Sequence, residues 1–518
     1  MNAPSDCPTA PLRRCVYGVL AAASVGLMLG RILAVDSVDV RVLQRDRIAQ
    51  LRKEQAQARK ELTGQGLAEE EIDARVRALE EQQFARIHLS RPFLSSNDRS
   101  RWCAVRALVE PDMRVEGAPY AIDKVQREPN WDTIDMVKHV DDGHLYSSKP
   151  PLYPTLLAAQ YWVVHRLTGA TLGTHPYAIG RLLLVVNNVL PLLLYFWLLA
   201  KLAERLGKTD WGRVFVVASA ALGTFLTTFA VVINNHIPAA VCAMIALYAA
   251  VRIWLDGERG WHWFALTGFF AAFAVADELP AMSLLAALGA ALLWKAPGKT
   301  LAAFVPAAMV VVAAFFVTNW IAHHSLLPPY AHRSTTNPAD NWYAFEYERD
   351  GRTRLSYWHP QNRDKLSDVD KGEPSRAVYA LHVLVGHHGI FSLTPVWVLS
   401  VLGLGIWLHR PDDRRLRELA LLIAAISLAC LVFYVGVVGQ KDRNYGGMTS
   451  GLRWMFWQAP LWLVAMLPGA DAAAGRRWTR WLALALLAAS ALSAAYPTWN
   501  PWTHPWIYDL LKYLEWIR

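Results

Sequence analysis

Repeated apolar runs, most of them long enough to cross a hydrocarbon core of about 30 Å, constrain this chain more than any other feature. They fall at 16–35, 178–203, 211–232, 235–256, 261–277, 279–295, 300–321, 390–409, 415–438, 452–468 and 478–496. A shorter segment at 151–167 contains Pro154, Gln160 and His165. The runs are continuous rather than alternating, which excludes a transmembrane β-barrel. They predict an all-α polytopic integral membrane protein of 11–12 transmembrane helices. Charged residues are 18% of the chain, below the share of about a quarter usual in soluble proteins, and they gather in a few segments between the runs.

The formal charge is +9, and much of the excess lies in short loops, where it is a topology signal rather than a nucleic-acid surface. Suppose 151–167 makes no net crossing. The loops with Lys201/Arg205/Lys208, Arg252/Arg259, Lys295/Lys299, Arg410/Arg414/Arg415 and Arg476/Arg477/Arg480 then all face the cytoplasm. If it does cross, all of them face outward. The positive-inside rule selects the first arrangement. It gives about eleven full spans and one re-entrant or tilted segment beginning at Pro150. Arg13 and Arg14 precede the first run and Arg31 interrupts it, so it reads as an uncleaved span with a cytoplasmic N-terminus, in a bacterial inner membrane. Cys7, Cys15, Cys103, Cys242 and Cys430 have no paired spacing, against a disulfide framework or a zinc site.

The chain divides into a first span (1–35), a charged helical hairpin (36–89), a first extracytoplasmic loop (90–150), membrane helices (151–321), a long outer loop (322–389), further membrane helices (390–496) and an interfacial amphipathic tail (497–518). In the hairpin, Ile48, Leu51, Ala58 and Leu62, then Ile72, Val76 and Leu79, form a narrow apolar seam either side of Thr63–Gly66, a surface suited to a protein partner. In the tail, Trp506, Ile507, Leu510, Leu511, Leu514 and Ile517 share one face.

Four polar groups collect on the outer side. Ser95-Ser96-Asn97-Asp98-Arg99-Ser100-Arg101-Trp102 sets an acid among arginines and is also a capped helix start. Asp142 to Pro154, reading DGHLYSSKPPLYP, places Lys149 on non-helical chain where a polar segment meets an apolar one, with His144 and Tyr146 before it. The plain alternative is a snorkelling lysine at a helix start. Gln440 to Arg453 offers glycines and the cations Lys441, Arg443 and Arg453 for a phosphate, or a flexible turn with anchoring charges. Arg181 lies a few residues into a span, as Glu278 does beside Pro280. Asn235 and His236 begin another span on the same side. Asp368-Val369-Asp370 is a three-residue match to a metal-binding pattern, and His323-His324 and His387-His388 lack ligand spacing. An acid and several cations at an outward membrane lip suit a donor sugar on a polyprenyl phosphate, because nucleotide sugars are not supplied outside the cytoplasm. Cations would hold the departing phosphate and a carboxylate would take the acceptor's proton.

These stretches resemble the GT-C superfamily of polyprenyl-phosphate-sugar-dependent glycosyltransferases, and within it the branch of protein O-mannosyltransferases and lipid A aminoarabinose transferases. SSNDRSRW…VRALVE…YAID, then DGHLYSSKPPLYPTLLA, follow that family's order, with Lys149-Pro150-Pro151-Leu152 the closest match. His388-Gly389-Ile390-Phe391-Ser392-Leu393-Thr394-Pro395 and Gly446-Gly447…Ser450-Gly451-Leu452-Arg453-Trp454 resemble later elements. The resemblance implies Asp98 as catalytic base, with Asp36 as second choice because the family's acid usually follows the first span closely. It implies Lys149 as a contact to the carrier phosphate. The resulting expectation is a membrane glycosyltransferase that moves a sugar from a polyprenyl-phosphate carrier to a lipid, glycan or protein acceptor. Arg181 and Arg453 would also bind phosphate, while His144, Tyr146, Asn235, His236, Lys441 and Arg443 would meet substrate. No cofactor is expected, with a divalent metal left open. A transporter or lipid flippase is the first alternative, and a non-enzymatic assembly protein the second.

Overall fold

The computed structural model describes residues 9–35, 40–86, 93–334, 336–349, 351–410, 412–497 and 500–517; for 40–50 and 81–86 it describes the backbone alone. Asp36 lies outside the described residues. The protein is an all-α polytopic membrane protein. Among the described residues, seven helices are long and apolar enough to cross a membrane. They are α1 (Ala10–Ala34), α6 (Pro176–Leu206), α7 (Asp210–Val231, broken at Gly223), α8 (His236–Trp254), α11 (Pro297–His323), α13 (Arg414–Val437) and α15 (Arg477–Ala495). Shorter apolar helices stand among them: α9 (Trp261–Asp277), α10 (Leu279–Lys295), α12 (Pro395–Leu408) and α14 (Ala459–Ala473).

Contacts at the helix ends set their directions. At one end of the bundle Arg13 of α1 pairs with Glu204 and Asp210, Arg205 with Asp256, and Asp471 accepts from the Lys208 and Thr209 amides. Arg259, Lys295 and Arg415 all donate to carbonyls at the C-terminus of α8, satisfying groups that the helix itself leaves open. The basic loops of the sequence therefore share one end. At the other end Arg181 donates to the carbonyls of Ile32, Leu33 and Val35 at the close of α1. Helix α5 (Leu152–Thr168) begins and ends at that same end: Lys149 reaches Asp135 before it, and Gly173 donates to Glu110 after it. The chain thus leaves α5 at the end of the bundle from which it entered.

Packing inside the bundle brings backbones into contact. A Cβ at Gly469 on α14 would strike the Leu399 carbonyl, and one at Gly403 on α12 the Ala465 carbonyl. Only glycine allows that crossing, the usual device where lipid supplies no hydrophobic drive between helices.

A layer of loops covers the end opposite the basic loops. Helix α4 (Ser96–Val109) lies beneath it, followed by a hairpin of β1 (Met136–Lys138) and β2 (Leu145–Ser147) with Val137 opposite Tyr146. The long loop adds a second hairpin, β3 (Glu346–Arg349) and β4 (Arg352–Leu355). The first hairpin is tied to the long loop by Lys138 N to Trp342 O at 2.9 Å, to the end of α11 by His139 to His323 O at 2.9 Å, and, through Asp132 before it, to Arg349 of β3 at 3.4 Å. Arg333 meets Asp442 at 3.1 Å, bringing in the loop before α14. Outside this body, α2 (Val40–Gly64) and α3 (Glu69–Arg86) form the charged hairpin, clasped by Arg59 and Asp73 at 2.9 Å. Ile72 is buried and Leu51, Ala58, Leu62, Val76 and Leu79 are half-buried, so the apolar seam faces inward. The tail carries α16 (Trp506–Tyr513).

Candidate active site

Ser95 opens α4 by accepting the Asp98 amide at 3.0 Å, which satisfies one of the donors that every helix start leaves open. Asp98 is thereby aimed inward, and it is almost wholly buried. Its Oδ1 accepts from Trp102 Nε1 at 2.9 Å and the Ile233 amide at 3.0 Å, while Oδ2 takes, among the described residues, the Leu94 amide alone, at 3.3 Å. Burial pushes the carboxyl up to about 7, against the pull of the Ile233 amide, Arg101, Trp102 and Arg99 toward the ionised form.

One turn on, Arg101 is buried too. It donates to the Asn97 carbonyl and side chain and to Asn235 Oδ1. Asn235 in turn donates to the Asp277 carbonyl at 2.9 Å. The preceding Asn234 turns its Oδ1 onto the amides of His236 and Ile237, capping α8 and fixing the direction in which His236 leaves the helix. His236 Nε2 receives Arg453 at 2.9 Å. An arginine can only donate, so Nε2 is the bare nitrogen and the ring proton sits on Nδ1. That nitrogen lies 2.5 Å from Glu278 Oε1, in contact with it but off the line of a hydrogen bond.

Arg453 also donates to the Gly446 carbonyl at 2.8 Å and lies over the Trp502 ring. Gly446 has φ +97°, and a Cβ there would fall on the Arg453 guanidinium. The glycine is thus required twice over, by conformation and by space.

Lys149 completes the cluster from the other side. Its Nζ is 3.1 Å from Asp135 Oδ1, and both side chains are about one-fifth exposed. Burial, with Arg101 and Arg453 nearby, outweighs Asp135 and brings the ammonium down to about 8. Asp135 has the opposite balance. Burial would raise it, but Lys149, then Arg453 and Arg101, hold it below the usual carboxylate range. Its backbone is fixed by Ser100 Oγ, which donates to the Asp135 carbonyl at 2.6 Å, and by Thr133 Oγ1, which accepts its amide.

Arg101, Lys149 and Arg453 therefore surround a site that also holds Asp98, Asp135, Glu278 and His236. Tyr153 Oη and Asp277 Oδ2 are buried there with no hydrogen-bond partner among the described residues. Among the described residues no three His, Cys, Asp or Glu side chains group as a metal site. Of the expected site residues, Asp98, Lys149, Arg453, Asn235 and His236 come together. The others lie elsewhere. Arg181 is on the α1 carbonyls. Tyr146 donates to Asp142 at 2.6 Å, and His144 pairs with Asp123 at 3.4 Å. Lys441 donates to the Arg333 carbonyl, and Arg443 to those of Glu373 and Pro374. Asp135 was missed because nothing near it in sequence marks it. The hairpin register places it beside Lys149, and only the order of the β1 and β2 residues could have suggested that pairing.

No protein-family model matches the chain, and no curated protein sequence matches it. Solved structures similar to it include an archaeal oligosaccharyltransferase AglB from Archaeoglobus fulgidus in complex with an inhibitory peptide and a dolichol-phosphate, at 14% identity and TM-score 0.39 over 82% of this chain and 55% of that one. The Archaeoglobus fulgidus oligosaccharyltransferase with zinc and sulfate gives 13% and 0.38 over 81% and 55%. Its apo form gives 14% and 0.36 over 79% and 52%. The chain thus spans about half the length of these structures.

Proposed function

We propose that the protein is a membrane glycosyltransferase that moves a sugar from a polyprenyl phosphate to an acceptor on the extracytoplasmic side. The observation that carries this reading is the gathering of Arg101, Lys149 and Arg453 with Asp98 and Asp135, under the loop layer and opposite the basic loops. Three cations gathered in one place suit a monoester or diester phosphate. Lys149 stands where the non-helical chain enters α5.

In the reaction an acceptor hydroxyl or amine attacks the anomeric carbon of the sugar. The bond from that carbon to the carrier phosphate oxygen breaks as the bond to the acceptor forms. The electron pair leaves with the polyprenyl phosphate, whose added charge Lys149 and Arg453 balance. The acceptor's proton passes to Asp98. A carboxyl raised to about 7 is a far better base than an ordinary one and is still ionised in part at neutral pH. Its Oδ2, with one long hydrogen bond, is the oxygen with capacity to spare. Asp135 positions Lys149. The resemblance of the Lys149-Pro150-Pro151-Leu152 element to the GT-C glycosyltransferases supports the same reading.

The test compares glycolipids and glycoproteins in membranes with and without the protein, and then with variants. Asp98→Asn is expected to abolish transfer with protein abundance unchanged, and Lys149→Ala to weaken carrier binding. Full transfer by Asp98→Asn would remove the base assignment. Identical glycan profiles with and without the protein would remove the enzyme.

A further inference from the structure

A second charged site lies at the opposite end of the bundle. Helices α1, α6 and α7 do not close on one another there but leave a cleft of about 540 Å³. Its walls are apolar: Gly18 and Ala21 from α1, Leu193, Phe196 and Trp197 from α6, and Val217 from α7. Its charged lining is Arg14, Lys201 and Glu204.

The carboxylates at this end are already engaged. Glu204 takes Arg13 and the Tyr17 hydroxyl, and Asp210 takes Arg13 and Arg213. Arg14 is exposed and, among the described residues, makes no ion pair. Lys201 is exposed and lies over the Trp197 ring, with Nζ 5.5 Å from its centre; among the described residues it makes no ion pair. Among the described residues, Arg14 and Lys201 therefore stand over the apolar slot without an ion-pair partner, while the cleft's own carboxylate, Glu204, is taken by Arg13.

Depth narrows the ligand further. Arg14 is four residues inside the start of α1 and Lys201 five residues inside the end of α6. At 1.5 Å per residue that is about 6–8 Å within the helix ends, where lipid phosphate and glycerol meet hydrocarbon. A soluble anion has no use for the apolar slot, and a neutral lipid has none for the two cations.

We propose that this cleft binds an anionic glycerophospholipid, with its phosphate on Arg14 and Lys201 and an acyl chain along Gly18, Ala21, Phe196 and Trp197. The site is separate from the proposed transfer site and does not depend on that reading.

The experiment uses the full chain purified in mild detergent. Native mass spectrometry reads which lipids stay bound when phosphatidylglycerol and phosphatidylcholine are supplied in equal amounts. Thermal unfolding reads the stabilisation each gives. Phosphatidylglycerol is expected to be retained preferentially and to raise Tm further. The Arg14→Gln/Lys201→Gln variant is expected to lose about thirty-fold in phosphatidylglycerol affinity, at roughly 1 kcal/mol for each cation near a membrane surface. Both side chains are exposed and neither holds a carboxylate, so the fold does not rest on them. The charge-keeping Arg14→Lys/Lys201→Arg variant is expected to retain the preference and controls for any loss of fold. Equal retention of both lipids, or an undiminished preference in the glutamine variant, would overturn the proposal. So would recovery of an isoprenoid phosphate from the cleft in place of the phospholipid.

Discussion

Single side chains decide what the site can do, and two of them predict a pH profile. In the proposed reaction the base must be ionised and the phosphate-binding ammonium protonated, so that proposal requires Asp98 without its proton and Lys149 with its own. Asp98 rises to about 7 and Lys149 falls to about 8. The kcat/KM profile, which reports groups of the free enzyme, is expected to be a narrow bell with its maximum between those values. Activity falls below about 7 as Asp98 takes up a proton and above about 8 as Lys149 loses one. Lys149→Arg keeps the charge at every accessible pH and is expected to carry the alkaline limb upward while leaving the acid limb in place. Lys149→Ala removes a charged hydrogen-bond donor worth about 1.5–3 kcal/mol, seen as a rise of roughly ten- to a hundredfold in carrier Kd. Gly446→Ala combines a disfavoured φ, about 1–2 kcal/mol, with displacement of Arg453. Transfer activity is expected to fall further than the loss in thermal stability explains, measured on the same preparation. The sequence pointed to Lys149 through the prolines after it and to Arg453 through the glycines before it, because those signals are local. Arg181 looked functional for a reason equally local, its place inside a span. Its actual partners are the carbonyls of Ile32, Leu33 and Val35, almost 150 residues earlier, which no local pattern reveals.

At the scale of elements, the site is assembled from the starts of helices rather than from their middles. Ser95 caps α4 and Asn234 caps α8, and each cap points its helix's first residues at the cluster. Asn234→Ala leaves two amides of α8 without that acceptor, at a cost of about 1–2 kcal/mol. The expected outcome is a lower Tm in detergent, together with a loss of transfer, since His236 and the bound Arg453 lose their bearing. An unchanged Tm would mean that the cap is made by another group. The apolar runs forecast these helices well, because a run long enough to cross a bilayer has little choice but helix. What periodicity left unseen was the loop layer. The pairing of β1 with β2 and the bond from Lys138 to Trp342 rest on backbone groups, which every sequence contains alike.

For the whole molecule the charge pattern, read along the chain, anticipated the separation of the two ends. The bundle places the basic loops together and the cluster of Asp98, Arg101, Lys149 and Arg453 opposite. Positive-inside orientation then makes a further expectation concrete. A cysteine at the exposed Arg363 should react with a membrane-impermeant thiol reagent in intact cells, and one at the exposed Lys208 only after the membrane is opened. The reverse pattern would turn the protein over and would place the cluster on the side where nucleotide sugars are made. The two clamps on α1 also bear on how the protein is made. Arg13 waits for Glu204 and Asp210, and the last carbonyls of α1 wait for Arg181. Synthesis at about 5–20 residues per second separates α1 from these partners by roughly seven to forty seconds. During that interval the first helix sits in the translocation machinery or the bilayer with a charge and several carbonyls unmet, held in register by nothing that the finished protein uses.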